Sequence, residues 1–103
     1  MAIMEIGVIP LGTQTASVSD YVVAALKVLE DEKGLKFELT GMGTIIEGEV
    51  TRLLELAGRM HEAALAAGAP RMVTTIKIDD RRDRPSTTEH KKEVVRRKLG
   101  GSG

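Results

Sequence analysis

The feature that most constrains this chain is the order in which two hydrophobic periods replace each other along it. Met4, Ile6 and Val8 alternate with Ile3, Glu5, Gly7 and Ile9, as in a strand with two unlike faces. Pro10 and Gly12 are expected to stop that strand, and the polar run Thr13–Ser17 leads to Ser17 or Ser19 as a helix N-cap. Val22, Ala25, Leu26 and Leu29 then return at helical spacing, with Gly34 as the stop. Leu35 to Thr40 alternates again, Gly41-Met42-Gly43 turns, and Thr44 to Glu47 is short and β-branched, which together predict a hairpin. Glu49 to Ala67 carries Val50, Leu53, Leu54, Ala57, Met60, Ala64 and Leu65 on one stripe, closed by Gly68 and Pro70. Finally Met72, Thr74, Ile76 and Ile78 alternate with Val73, Thr75 and Lys77 until the charged run Asp79 to Pro85.

The order β-α-β-β-α-β predicts an α+β, ferredoxin-like fold: a four-stranded antiparallel sheet with two helices on one face. With 103 residues there is room for one core, so residues 1–99 are expected to form a single ligand-binding domain and 100–103 a flexible tail. The second sheet face stays open. Its expected residues are Ile3, Glu5, Gly7, Ile9, Lys36, Glu38, Thr40, Thr44, Ile46, Val73, Thr75 and Lys77, an apolar patch that predicts cover by another subunit. Thr87 to Leu99 has the composition of a short C-terminal helix but only Val94, Val95 and Leu99 to bury. It is either a solvated basic tail or a helix docked on a neighbour.

Composition removes several classes of function. The chain has no cysteine, which excludes disulfides and thiolate chemistry and favours a cytoplasmic setting. No run approaches the roughly 20 apolar residues of a membrane span, and no basic segment leads into an apolar stretch at the N-terminus, so neither membrane insertion nor secretion is expected. Net charge is zero, and one Phe, one Tyr and no Trp leave nothing to stack several bases on; nucleic acid is not an expected partner. Charge is nonetheless uneven, with eight Lys/Arg against three Asp/Glu in residues 81–98. His61-Glu62 resembles half of a zinc-protease motif, but position 65 is Leu, so no metal site is expected. An acylphosphatase on this fold would need an Arg in the first loop and a catalytic Asn; loop one has no Arg and the chain no Asn. No nucleophile and base stand at a recognisable spacing, so the chain is expected not to be an enzyme and to need no cofactor.

Chemistry is then expected where loops meet. Taking the first and third strands as central, parallel neighbours, the loop Pro10 to Ser19 should lie beside the end of strand three. That end would collect Thr13, Thr15, Ser17, Ser19, Tyr21 and Glu47, hydroxyls around one carboxylate, suited to a small polar ligand. The same residues also serve as helix caps and surface carboxylate. Thr40 to Thr44 and the exit Asp79-Asp80-Arg81 would share the opposite end, where Gly41-Met42-Gly43 reads as a tight turn.

The blocks Glu5-Ile6-x-x-Ile9-Pro10-x-Gly12-Thr13, Ser17-Val18-Ser19-x-Tyr21-Val22, Thr40-Gly41-Met42-Gly43-Thr44-x-x-Glu47-Gly48 and Lys77-Ile78-Asp79-Asp80-Arg81-Arg82-Asp83 resemble the small thiamine-binding proteins, over about residues 2–99. The resemblance implies dimers and tetramers built through sheet faces, and non-catalytic binding of thiamine (vitamin B1) or its hydroxymethylpyrimidine moiety as carrier, buffer or sensor. It implies a site drawn from Thr13, Ser17, Ser19, Tyr21, Gly43, Thr44 and Glu47, with Glu47 accepting from the aminopyrimidine and Tyr21 either stacking or sitting at the core edge. Where the family tail has Asp-x-Arg-x-Asp-Lys, this chain has Arg84-Pro85. The alternative function is an oligomeric structural or regulatory module that binds a protein through its sheet face or basic tail.

Overall fold

A computed structural model describes residues 1–83 and 87–101; residues 84–86 and 102–103, and with them Pro85 and the end of the expected tail, lie outside the described residues. The chain runs β1 (Ala2–Leu11), α1 (Ser19–Glu30), β2 (Lys36–Leu39), β3 (Thr44–Gly48), α2 (Val50–Ala66), β4 (Arg71–Asp80) and α3 (Thr88–Gly101). The four strands form one antiparallel sheet in the order β2-β3-β1-β4, the ferredoxin-like arrangement expected.

Register decides which side chains share a face. Met4 stands opposite Ile46 on β3 and Ile78 on β4, and Phe37 opposite Ile46, so these residues lie on one side of the sheet. That side packs on the two helices: Met4, Ile6, Ile46, Leu29, Leu53, Leu56 and Met60 are fully buried there. Two expected open-face residues are therefore corrected. Ile46 is 0% exposed and Thr44 4%, because antiparallel pairing sets them across from Met4 and Ile6; Ile45 and Glu47 face the other way. On α2 the buried stripe takes Leu56 in place of Leu54, which is half exposed.

β1 runs further than Pro10 and Gly12 suggested, through Leu11. Among the described residues its last five pair only with β4, since β3 pairs with β1 no further than Ile6. Pro10 therefore sits where one edge of β1 has no strand partner, the position in a sheet that tolerates a missing N–H. This vacated edge shapes the site.

The chain is helical from Thr88, and α3 lies against the chain's own open sheet face. The Thr88 N–H donates to Glu47 Oε1 at 2.9 Å, Lys92 Nζ lies 3.2 Å from Glu38 Oε1, and Lys91 pairs with Asp79. The helix continues through Gly100 and Gly101, two residues of the expected tail. Among the described residues no helix is long and apolar enough to cross a membrane.

Candidate functional site

The direction of β3 governs the site. β1 and β3 are antiparallel, pairing Ile6 with Thr44 and Ala2 with Gly48, so the loop that leaves β1 lies beside the start of β3 and not its end. The expectation of parallel neighbours is overturned, and the reason is connectivity: a crossover helix returns β2 parallel to β1, and the hairpin then reverses β3. The two ends exchange contents. Thr40 to Thr44 joins the β1–α1 loop, while Glu47 joins Asp79 and α3 at the far end.

Where β3 stops and β1 continues, a cleft of about 700 Å³ opens, within the size range of small-molecule sites. Its floor is Ile6 to Ile9 from both sides of the vacated β1 edge, with Thr75 beside Gly7. One wall is the start of α1 with Ser17, Val18, Ser19 and Val22, and the other is the turn Leu39 to Thr44; Ala25, Leu26 and Met60 close the back.

Each wall is locally held. The expected N-caps do not cap: Val18 occupies the cap position without a side-chain hydrogen bond, and the Ser17 and Ser19 hydroxyls lie 3.3 Å apart, bonded to each other. Two hydroxyls at the end of α1 thus border the cleft instead of being committed to helix N–H groups. Upstream, Thr13 Oγ1 donates to the Thr15 carbonyl at 2.8 Å and the Ser17 N–H donates to Thr15 Oγ1 at 3.1 Å, which folds the loop on itself. Across the cleft, Thr40 Oγ1 accepts from the N–H groups of Met42 and Gly43 at 3.2 and 3.1 Å and donates to the Gly43 carbonyl at 2.9 Å. Gly43 is pressed against β1, since a Cβ there would lie 2.9 Å from the Ile6 carbonyl oxygen. The turn backbone is pinned while the Met42 side chain, 90% exposed, stands free at the rim.

Of the residues expected at the site, Ser17, Ser19, Gly43 and Thr44 line the cleft. Thr13 and Tyr21 do not: Thr13 serves its own loop, and Tyr21 lies half-buried on α1. Glu47 is on the opposite sheet face, three strand steps or about 10 Å along β3 from Thr44. There its carboxylate, 7% exposed, pairs with Lys36 at 3.2 Å and receives the Thr88 N–H. Sequence reasoning missed Gly7, Thr40, Met42 and Thr75 as cleft residues; tracing strand direction through the two crossovers would have found them. Elsewhere, His61 Nδ1 shares a 2.6 Å hydrogen bond with Thr74 Oγ1, and among the described residues no cluster of three or more His, Asp or Glu could hold a metal ion.

Fold and cleft together define a ferredoxin-like α+β domain with a recess, apolar except for hydroxyls, at the end where β1 outruns β3. The chain belongs to the thiamine-binding protein family, whose sequence profile matches residues 4–96. It is similar to UPF0045 protein YqgV of Bacillus subtilis, with 45% identity over 102 residues that cover 96% of this chain and 98% of the relative. A UPF0045 protein of Methanothermobacter thermautotrophicus is 44% identical over 100 residues, covering 96% of this chain and all 100% of the relative. The crystal structure of hypothetical protein MJ1052 of Methanocaldococcus jannaschii matches with a TM-score of 0.82 at 36% identity, covering 91% of this chain and 94% of that one.

Proposed function

We propose that this chain is a non-catalytic cytoplasmic binding protein that takes up thiamine or its hydroxymethylpyrimidine moiety in the cleft between α1 and the Thr40–Thr44 turn. Family membership supports the ligand class. The observation that carries the site is the cleft itself: apolar walls suit the faces of a planar ring, and the paired hydroxyls of Ser17 and Ser19 offer both donors and acceptors to its edge. Glu47, held by Lys36 and Thr88 at the far end of β3, has no part in this reading. The role is that of a carrier, buffer or sensor, since the groups bordering the cleft are hydroxyls, amides and hydrocarbon. Titration calorimetry with thiamine and with hydroxymethylpyrimidine tests it. Binding by the parent chain, weakened about tenfold in a Ser17→Ala, Ser19→Ala double variant, is the expected result, equivalent to one or two modest hydrogen bonds. Absence of heat and of any thermal shift at millimolar ligand refutes it.

The subunit is further proposed to assemble into a dimer or a dimer of dimers. α3 covers only the Glu47 end of the second sheet face, and Ile9 and Val73, opposite each other in the β1–β4 register, remain 50% and 37% exposed.

A further inference from the structure

We infer that the cleft selects against phosphorylated ligands, so that the chain handles the free pyrimidine alcohol and not its phosphate ester; this rests on the reading that the cleft holds that ring. The basis is the charge inventory of the walls. Among the described residues none that lines the cleft carries a charge; the polar side chains there are the hydroxyls of Ser17, Ser19, Thr40, Thr44 and Thr75. A phosphate monoester carries nearly two negative charges at neutral pH. Moving it from water to such a surface without a Lys or Arg forfeits its hydration for a few neutral donors.

One feature of the cleft could favour an anion, the N-terminal end of α1, where the first-turn N–H groups are directed outward. Two observations oppose that use. Asp20 stands in the first turn of α1 and places a carboxylate on the same helix end. Thr40 Oγ1, the hydroxyl facing from the opposite wall, is committed to the N–H groups of Met42 and Gly43. The basic side chains on the open sheet face lie outside the cleft and are paired with acids: Lys77, two residues from Thr75, with Glu5, and Lys91 and Lys92 of α3 with Asp79 and Glu38.

Geometry makes the effect depend on where the phosphate is attached. On hydroxymethylpyrimidine the ester oxygen is one carbon from the ring, so a ring seated between the two walls brings the phosphate in with it. On thiamine phosphate the ester sits at the far end of the thiazolium and can remain in solvent. The discrimination is therefore strong for the first ester and weak for the second.

The test is calorimetry on the full chain with four compounds: hydroxymethylpyrimidine, its monophosphate, thiamine and thiamine monophosphate. The expected result is that the pyrimidine monophosphate binds at least about thirtyfold more weakly than the free alcohol, while thiamine monophosphate stays within about fivefold of thiamine. A Val18→Arg variant, at a rim position 43% exposed, should narrow the first ratio by about tenfold and make the residual binding salt-dependent. Equal or tighter binding of the pyrimidine monophosphate by the parent chain, or no narrowing in Val18→Arg, overturns the inference and leaves the cleft as the ring site. Failure of all four compounds to bind overturns the underlying reading, and the inference falls with it.

Discussion

At the scale of single residues the cleft depends on a contact that allows no side chain. Gly43 closes the Thr40 turn with its backbone against the Ile6 carbonyl, and the atom that an added Cβ would meet, at 2.9 Å, belongs to backbone that cannot rotate away. Gly43→Ala must push the turn off β1. It is expected to cost about 1–3 kcal/mol of stability in urea unfolding, the usual range for overpacking, and to weaken ligand binding because the displaced turn is a cleft wall. Gly41→Ala is the matched control. A Cβ there has nothing within 4 Å and φ is not positive, so stability should stay level or rise by up to about 1 kcal/mol through the unfolded chain. Equal effects of the two substitutions would show that the close approach of Gly43 to β1 has no energetic weight.

At the scale of elements, the two helices on the sheet are tied at their outer surface by one acid and two bases. Glu32, just past α1, accepts from Arg59 of α2 at 2.6 Å and from Arg52 at 3.3 Å. The Arg59 hydrogen bond, then its charge, with Arg52 adding less, holds the Glu32 carboxyl below its usual value of 4.5, against the opposing effect of partial burial. A carboxyl depressed by folding stabilises the protein above its unfolded-state value and loses that contribution as pH falls through the folded one. Glu32→Gln should therefore lower the melting temperature at pH 7, and the gap to the parent should close as the pH is taken from about 5 towards 3. A gap constant with pH would assign the effect to packing instead. α3 is tethered differently, by Glu47 to its first turn and by lysine pairs along it, and Glu47→Ala should speed amide exchange in α3 at least about tenfold while leaving β1 unchanged. The sequence shows the first six elements plainly, because most have a clear period of 2 or 3.6 and a Gly or Pro near the end, while β3 is a short β-branched run after a Gly-rich turn and β4 stops at a charged run. It hides α3's berth, since a helix with two valines and a leucine carries no apolar stripe, and its polar ties go to three different strands: lysine pairs with Glu38 and Asp79 and the Thr88 N–H donated to Glu47. It also hides the cleft's membership: Ser17, Ser19, Gly43 and Thr44 were readable as a family pattern, but joining them needed strand direction, which periodicity does not encode.

For the molecule as a whole, the cleft and the uncovered half of the sheet share residues, and assembly and ligand binding should therefore be linked. Gly7, Ile9 and Thr75 line the cleft from the side of the sheet away from α1 and α2, and Ile9 pairs with Val73, which lies on that side outside the cleft. Among the described residues β4 bonds only to β1, so one edge of a ten-residue strand has no strand beside it there. A second subunit laid over Ile9 and Val73 would remove apolar surface from water and shelter the cleft where it is open, and by reciprocity a ligand held there would favour the assembled state. Val73→Lys tests this without touching a cleft residue. Native mass spectrometry at micromolar concentration is expected to show dimers or tetramers of the parent chain and a shift towards monomer in the variant. Calorimetry should then show weaker hydroxymethylpyrimidine binding by Val73→Lys, and saturating ligand should restore part of the lost assembly. A parent chain that is monomeric at that concentration would refute assembly through this face. An assembled parent whose Val73→Lys monomer binds with unchanged affinity would refute the linkage alone, and would show that the cleft is complete within one subunit.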